Sequence, residues 1–272
     1  MERTGRLLFW GEMLMVAGFV VYRIVTGILE PPTIIGTAVI PTAQPARTSE
    51  TVRLTRGDYA LYRYAPGDPA LAAHPKALII FGSGDGGADG WEDRVCRALQ
   101  ADGYEVISFD CARYAVTDYD LPTLQADMAA LARSLPHDPP VPLILGGWSM
   151  GAEQAVAAAG GPDRSPNLAG LLLVSPGSRG RYGLRSPDRW NVPPKGAGTF
   201  ALTDFATKLG GLRVAQWDGR LDLLDSTAWL NGVTTTHKTF SYTLGFHDYG
   251  GASDEFLNQV KQSVAWILSS GP

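Results

Sequence analysis

Apolar residues run almost unbroken from Leu7 to Leu29, interrupted only by Glu12 and Arg23. These 23 residues form an apolar segment that, as a helix, would be long enough to cross a bilayer at about 1.5 Å per residue. Pro31 to Glu50 has no period; its prolines, threonines and alanines read as an extended tether. Alternation then begins. Thr51-Val-Arg-Leu-Thr55 and Asp58-Tyr-Ala-Leu-Tyr-Arg-Tyr-Ala65, joined through Arg56-Gly57, predict an antiparallel hairpin at one sheet edge. Beyond Pro69 come short strand-like runs: Ala77–Phe81, Tyr104–Phe109, Val141–Leu145, Leu171–Ser175, Leu212–Trp217 and Lys238–Leu244. Helical spacing falls between or after them, over Trp91–Ala101, Leu121–Leu135, Met150–Ala159 and Asp254–Leu268. Strand and helix therefore alternate, which predicts a mostly parallel sheet with helices on both faces and functional groups at the carboxyl ends of the strands.

The organisation expected is a membrane anchor over 1–30, a linker over 31–50 and one α/β domain over 51–272. Within that domain, 177–210 is too long for an ordinary connection and is read as a lid-like insertion, carrying Arg179, Arg181, Arg185, Arg189 and Lys195. A solvated surface loop is the competing reading of the same stretch. Arg3 and Arg6 precede the apolar run, with no basic cluster just after it. The positive-inside rule thus keeps the N-terminus in the cytoplasm and exports the rest. A cleaved signal ending near Val25-Thr26-Gly27 is the main rival, and a cytosolic start is the third option.

A net charge of −4 with scattered basic residues gives no electrostatic footprint for nucleic acid. The two cysteines, Cys96 and Cys111, exclude a disulfide framework and a Cys-based zinc site. Either one bridge or two buried thiols fits, the second being the more ordinary outcome.

The chemistry gathers around Gly147-Trp148-Ser149-Met150-Gly151, between an apolar run and an alanine-rich helix. Strand, G-x-S-x-G and helix together describe a sharp turn that lifts a serine hydroxyl above a sheet edge. A serine needs a base, and of four histidines His247 is best placed, in the glycine-rich loop Gly245–Gly251 after the last strand. His74, His137 and His237 occupy positions where a surface histidine is the default. The acid that orients His247 is sought after the preceding strand, where Asp222 is preferred, Asp218 is second, and Asp225 more naturally begins a helix near Thr227. The order Ser149, Asp222, His247 is that of an α/β-hydrolase fold. The backbone N–H groups of Met150 and of Asp85, in the loop Phe81–Gly87, are the expected oxyanion donors. The spacing Gly82-x-Gly84-x-x-Gly87, with Asp110 at the next strand end, also fits a dinucleotide loop. That reading leaves Ser149 and His247 without a role, so no metal or organic cofactor is expected.

Ser83-Gly-Asp-Gly-Gly87 followed by Trp91, Phe109-Asp-Cys-Ala-Arg-Tyr114, Gly147-Trp-Ser-Met-Gly-Ala152, and His247 with Gly250-Gly251 together resemble the bacterial virulence protein family that includes VirJ and the C-terminal domain of AcvB. The resemblance covers Lys76 to the C-terminus. Ala88-Asp89-Gly90 is extra here, and Glu153 stands where the family usually has aspartate. The resemblance implies a periplasmic location, on the bacterial inner membrane when combined with the single-pass anchor. It also implies hydrolysis of an aminoacyl ester on a phospholipid, such as lysyl-phosphatidylglycerol. Asp85 or Glu153 would receive the lysyl ammonium, while Arg181 and Arg185 would face the phosphate. Two other readings remain: a generic carboxylesterase acting on soluble substrates, and a non-catalytic periplasmic interaction protein of a secretion or virulence system.

Overall fold

A computed structural model of the chain describes residues 47–88, 90–185, 194–222, 226–242 and 245–269. The expected membrane segment, nearly all of the tether, Arg189 and Asp225 lie outside them. Among the described residues no helix is long and apolar enough to cross a membrane. The first strand takes up the end of the expected linker, because Thr48 already pairs with Arg63.

The elements follow in the order β1 (Thr48–Leu54), β2 (Gly57–Tyr64), α1 (Pro69–Ala73), β3 (Leu78–Gly82), α2 (Gly90–Ala101), β4 (Glu105–Phe109), α3 (Cys111–Ala115), α4 (Leu121–Arg133), β5 (Leu143–Trp148), α5 (Met150–Ala159), β6 (Leu168–Val174), β7 (Arg179–Arg181), β8 (Thr199–Ala201), β9 (Arg213–Gly219), β10 (His237–Tyr242) and α6 (Asp254–Leu268). Eight strands form one sheet in the order β1-β2-β4-β3-β5-β6-β9-β10. The β1–β2 and β2–β4 pairs are antiparallel, and every pair from β4 to β10 is parallel.

Strands β3 and β4 are buried along their whole length, as a sheet covered on both faces requires. Their side chains alternate between two cores. Ile80, Ile107, Leu145, Leu171 and Val214 pack with Leu124, Met128 and the alanines of α5. Ile79, Val106, Ile144, Leu172 and Trp217 pack on the other face with Val95 and Leu99 of α2 and with Phe256, Val260 and Val264 of α6. All ten residues of α5 are buried. Its small side chains let a helix lie close to the sheet on one side and against α4 on the other.

The interval after β6 is more ordered than an open loop. Its two ends pair as an antiparallel ribbon, β7 with β8, and Phe200 of that ribbon is buried in the α5 core. The short helix α3 has no periodic signal in the sequence; it starts because the Asp110 side chain accepts the Arg113 N–H at 2.8 Å. That cap gives Asp110 a local structural task. His137 departs from the surface default. It is 14% exposed in its side chain and lies 3.2 Å from Glu105 Oε2, whereas His74 and His237 are exposed. Cys96 and Cys111 are both free and buried.

Candidate functional site

The turn between β5 and α5 places Ser149 at φ 52, ψ −117, a conformation unfavourable for an L residue by about 1–3 kcal/mol. Neighbouring backbone holds it there: the Ser149 N–H donates to Val174 O at 2.8 Å, and the Glu153 N–H to Ser149 O at 3.1 Å. Space explains the glycines. A Cβ on Gly151 would lie 2.3 Å from Gly82 O, and one on Gly147 would lie 2.7 Å from the same oxygen. The elbow is therefore a close stack of the β3 end, the β5 end and the first turn of α5, which side chains at these positions would force apart.

The loops after β9 and β10 are tied together through the Arg220 N–H to Tyr242 O at 3.3 Å and the Leu221 N–H to Gly245 O at 3.0 Å. On this base His247 Nδ1 lies 2.7 Å from Asp222 Oδ2, and the Asp222 side chain is only 3% exposed. Nδ1 bearing the proton toward a carboxylate leaves the lone pair on Nε2. His247 stands beside the elbow: its ring centroid is 5.3 Å from that of Trp148, and the Trp148 indole N–H donates to His247 O at 2.8 Å. Asp218 instead lies within β9, opposite Ser241.

The loop after β3 is braced from below. The buried Ser83 hydroxyl accepts the Cys111 N–H at 3.0 Å and donates to Gly84 O at 3.1 Å. The Gly84 N–H donates to the buried carboxylate of Glu92 at 3.1 Å. Asp85 follows at the turn, half-buried, and Met150 opens α5. Both expected oxyanion donors thus sit on segments packed at the elbow.

Charge gathers around Glu153, one turn into α5. Its side chain is buried and accepts the Gly177 N–H at 3.1 Å. Burial pushes its carboxyl up to about 8, with the negative charge of Asp85 adding to the rise and Gly177 and Arg181 opposing it. Arg181, half-buried, is lowered by burial and supported by Glu153 and Asp85. Arg185 does not join this cluster; its guanidinium forms a fork with exposed Asp118, Nη2 lying 2.6 Å from Oδ2. Among the described residues no group of three or more His, Cys, Asp or Glu side chains is arranged to hold a metal ion.

Periodicity and spacing missed the residues that surround the pair. Periodicity assigns no role to Glu92 or to Trp148. The fold brings Glu92 to the Gly84 N–H of the glycine loop and the Trp148 indole to His247 O.

Comparison with known proteins agrees with this architecture. The esterase domain of a Rhodothermus marinus protein superposes with a TM-score of 0.60 at 18% identity, covering 82% of this chain and 98% of that one. Est1E from Butyrivibrio proteoclasticus gives 0.59 at 16% identity, covering 81% and 98%. An α/β serine hydrolase without lid from Xanthomonas campestris gives 0.56 at 16%, covering 86% and 100%. At such identities the likeness concerns the fold. No curated protein sequence matches the chain. A sequence model described as the alpha/beta hydrolase family matches residues 35–262, and by that match the chain belongs to the α/β hydrolase family.

Proposed function

We propose that the protein is a membrane-tethered periplasmic serine hydrolase of carboxylic esters. The observation that carries this reading is the 2.7 Å contact between His247 Nδ1 and buried Asp222, beside an elbow that holds Ser149 at positive φ. Ser149 Oγ attacks the ester carbonyl as His247 Nε2 takes its proton, and Asp222 stabilises the resulting imidazolium. The backbone N–H groups of Met150 and Asp85 hold the oxyanion. The alcohol leaves with the proton from His247. Water, deprotonated by the same imidazole, then releases the acyl group as a carboxylic acid. Labelling of the folded protein by a fluorophosphonate tests the nucleophile. Modification confined to Ser149 is expected, and an unmodified Ser149 would sink the mechanism.

The substrate class is an aminoacyl ester on a phospholipid such as lysyl-phosphatidylglycerol. Supporting it are the resemblance to the VirJ and AcvB family, the apolar N-terminal segment, and the cluster of Glu153, Asp85 and Arg181. The half-buried Asp85 receives the ammonium and Arg181 the phosphate, while Glu153, kept protonated by burial, sits behind them. Arg185, engaged by Asp118, has no part in this version. Vesicles containing lysyl-phosphatidylglycerol should lose lysine on addition of the protein, and Arg181→Glu should slow that loss more than it slows para-nitrophenyl acetate hydrolysis. Equal slowing of both, or cleavage of soluble esters alone, points to a generic carboxylesterase. A cellular phenotype that survives Ser149→Ala at unchanged abundance points to a non-catalytic interaction protein.

A further inference from the structure

The segment that follows His247 is strained. Tyr249, Gly250, Gly251 and Ala252 all lie at positive φ, at 49, 67, 69 and 59°. Two of these four carry side chains, whose Cβ atoms crowd the backbone in this region. Such a turn persists only where its surroundings over-determine it; local bonds, such as the Ala252 N–H to Asp248 O at 3.1 Å and the Tyr249 N–H to Phe246 O at 3.1 Å, are joined here by side chains from distant elements. Trp148, at the end of β5, donates its indole N–H to His247 O at 2.8 Å. Trp91, at the start of α2, donates to the next carbonyl, Asp248 O, at 2.7 Å. Arg94 Nε, one turn further along α2, donates to Ala252 O at 3.1 Å. The Tyr249 hydroxyl lies 2.7 Å from Ser175 Oγ in a buried pair just beyond β6.

The two indoles act as one body. Their rings stack with centroids 4.7 Å apart and planes 25° apart, and Trp91 is backed by Phe256 at 5.8 Å. A buried indole N–H usually finds an acceptor, and the identity of that acceptor is what matters. Here each N–H meets a different one of two consecutive backbone carbonyls, and the first belongs to the histidine itself. Asp222 constrains the imidazole through Nδ1, while nothing in that contact fixes the main chain that carries the ring.

We propose that Trp148 and Trp91 are positioning residues for His247: paired indole N–H groups clamp the carbonyls of 247 and 248 and hold the strained turn so that the imidazole is presented to Ser149. This rests on the reading of His247 as the general base. Because the clamp acts on the proton-transfer geometry and not on the bound ester, its loss lowers kcat and leaves KM in place.

The test uses the full chain, para-nitrophenyl acetate as substrate, and the rate of fluorophosphonate labelling as a second measure of Ser149 reactivity. Trp148→Phe and Trp91→Phe are each compared with a benzothienylalanine placed at the same position, which keeps the bicyclic ring and removes only the N–H. Both kinds of change should lower kcat and the labelling rate together by ~10- to 100-fold, the usual cost of a small displacement of a reacting group, with KM essentially unchanged. If a phenylalanine variant does not fold, the isosteric replacement decides. Wild-type kcat with the isostere at both positions, or a rise in KM at constant kcat, overturns the clamp. His247→Ala separates the two readings: loss of turnover there leaves the base in place whatever the indoles do, and wild-type turnover removes the general base and the clamp together.

Discussion

The elbow and the histidine turn are both strained, and the molecule holds them in opposite ways. At the elbow, backbone packs on backbone: Ser149 is surrounded by Gly82, Gly147 and Gly151, and it is the absence of side chains that lets the turn close. At the histidine turn, side chains also hold backbone: Trp148, Trp91 and Arg94 reach in to the carbonyls of His247, Asp248 and Ala252, and Tyr249 ties the turn outward to Ser175. A residue fixed by close approach of backbone leaves no room for an added atom. A loop held by tethers tolerates change in proportion to the tethers lost.

The largest effect that would break this comparison is expected at Gly151. Gly151→Ala places a methyl group 2.3 Å from Gly82 O, and the obstacle is main chain, which has no rotamer to yield. Destabilisation of about 3 kcal/mol or more, the upper end for overpacking, should appear in urea denaturation, with loss of fluorophosphonate labelling. A variant that labels normally would mean the elbow is looser than its contacts imply.

Asp222→Asn comes next and acts on the other region. It preserves shape while favouring the wrong histidine tautomer, so kcat for an ester should fall ~10³- to 10⁴-fold with little change in melting temperature. A fall no larger than that of the indole variants would mean that the loop clamp, and not the carboxylate, sets the imidazole.

Glu153→Gln sharpens the comparison by pH. The native carboxyl titrates at about 8 against an ordinary 4.5, so between those values the native state retains a proton that the unfolded chain has released. Wild-type stability is therefore progressively lost as pH rises through this window, and the loss is complete above the native value. Glutamine has no such loss. The variant should match wild type in acid and exceed it by a few kcal/mol in mild alkali, since each pKa unit corresponds to about 1.4 kcal/mol. Parallel urea curves at both ends of the range would show that Glu153 is not desolvated in solution.

The smallest effect belongs to Arg185→Ala. Its pairing with Asp118 is exposed on both sides, and pairs of that kind contribute little. Thermal melting and hydrolysis of a lysyl lipid should both stay at wild-type levels. A selective loss on the lipid would bring the arginine back into substrate binding.

The sequence by itself determined what depends on near neighbours. Strand-like runs become strands, and Met150–Ala159 and Asp254–Leu268 become helices over the residues expected, because period is a property of adjacent positions. The elbow was legible for the same reason: strand, glycines, serine and helix are contiguous. Asp222 was preferred over Asp218 by its place after a strand, and in the fold Asp222 Oδ2 lies 2.7 Å from His247 Nδ1. Tertiary structure alone decided whatever joins positions far apart. Trp91 meets Asp248 across 157 residues and Trp148 meets His247 across 99, and no local pattern records such contacts. The same holds for the buried Glu153, whose place one turn into a helix suggests an ordinary N-terminal acid, and for His137, which Glu105 draws away from the surface. Local sequence specifies a conformation through sterics and periodicity. Which side chains then meet follows from the order in which the sheet assembles its strands, and that order brings β5, α2 and the loop after β10 together above one edge.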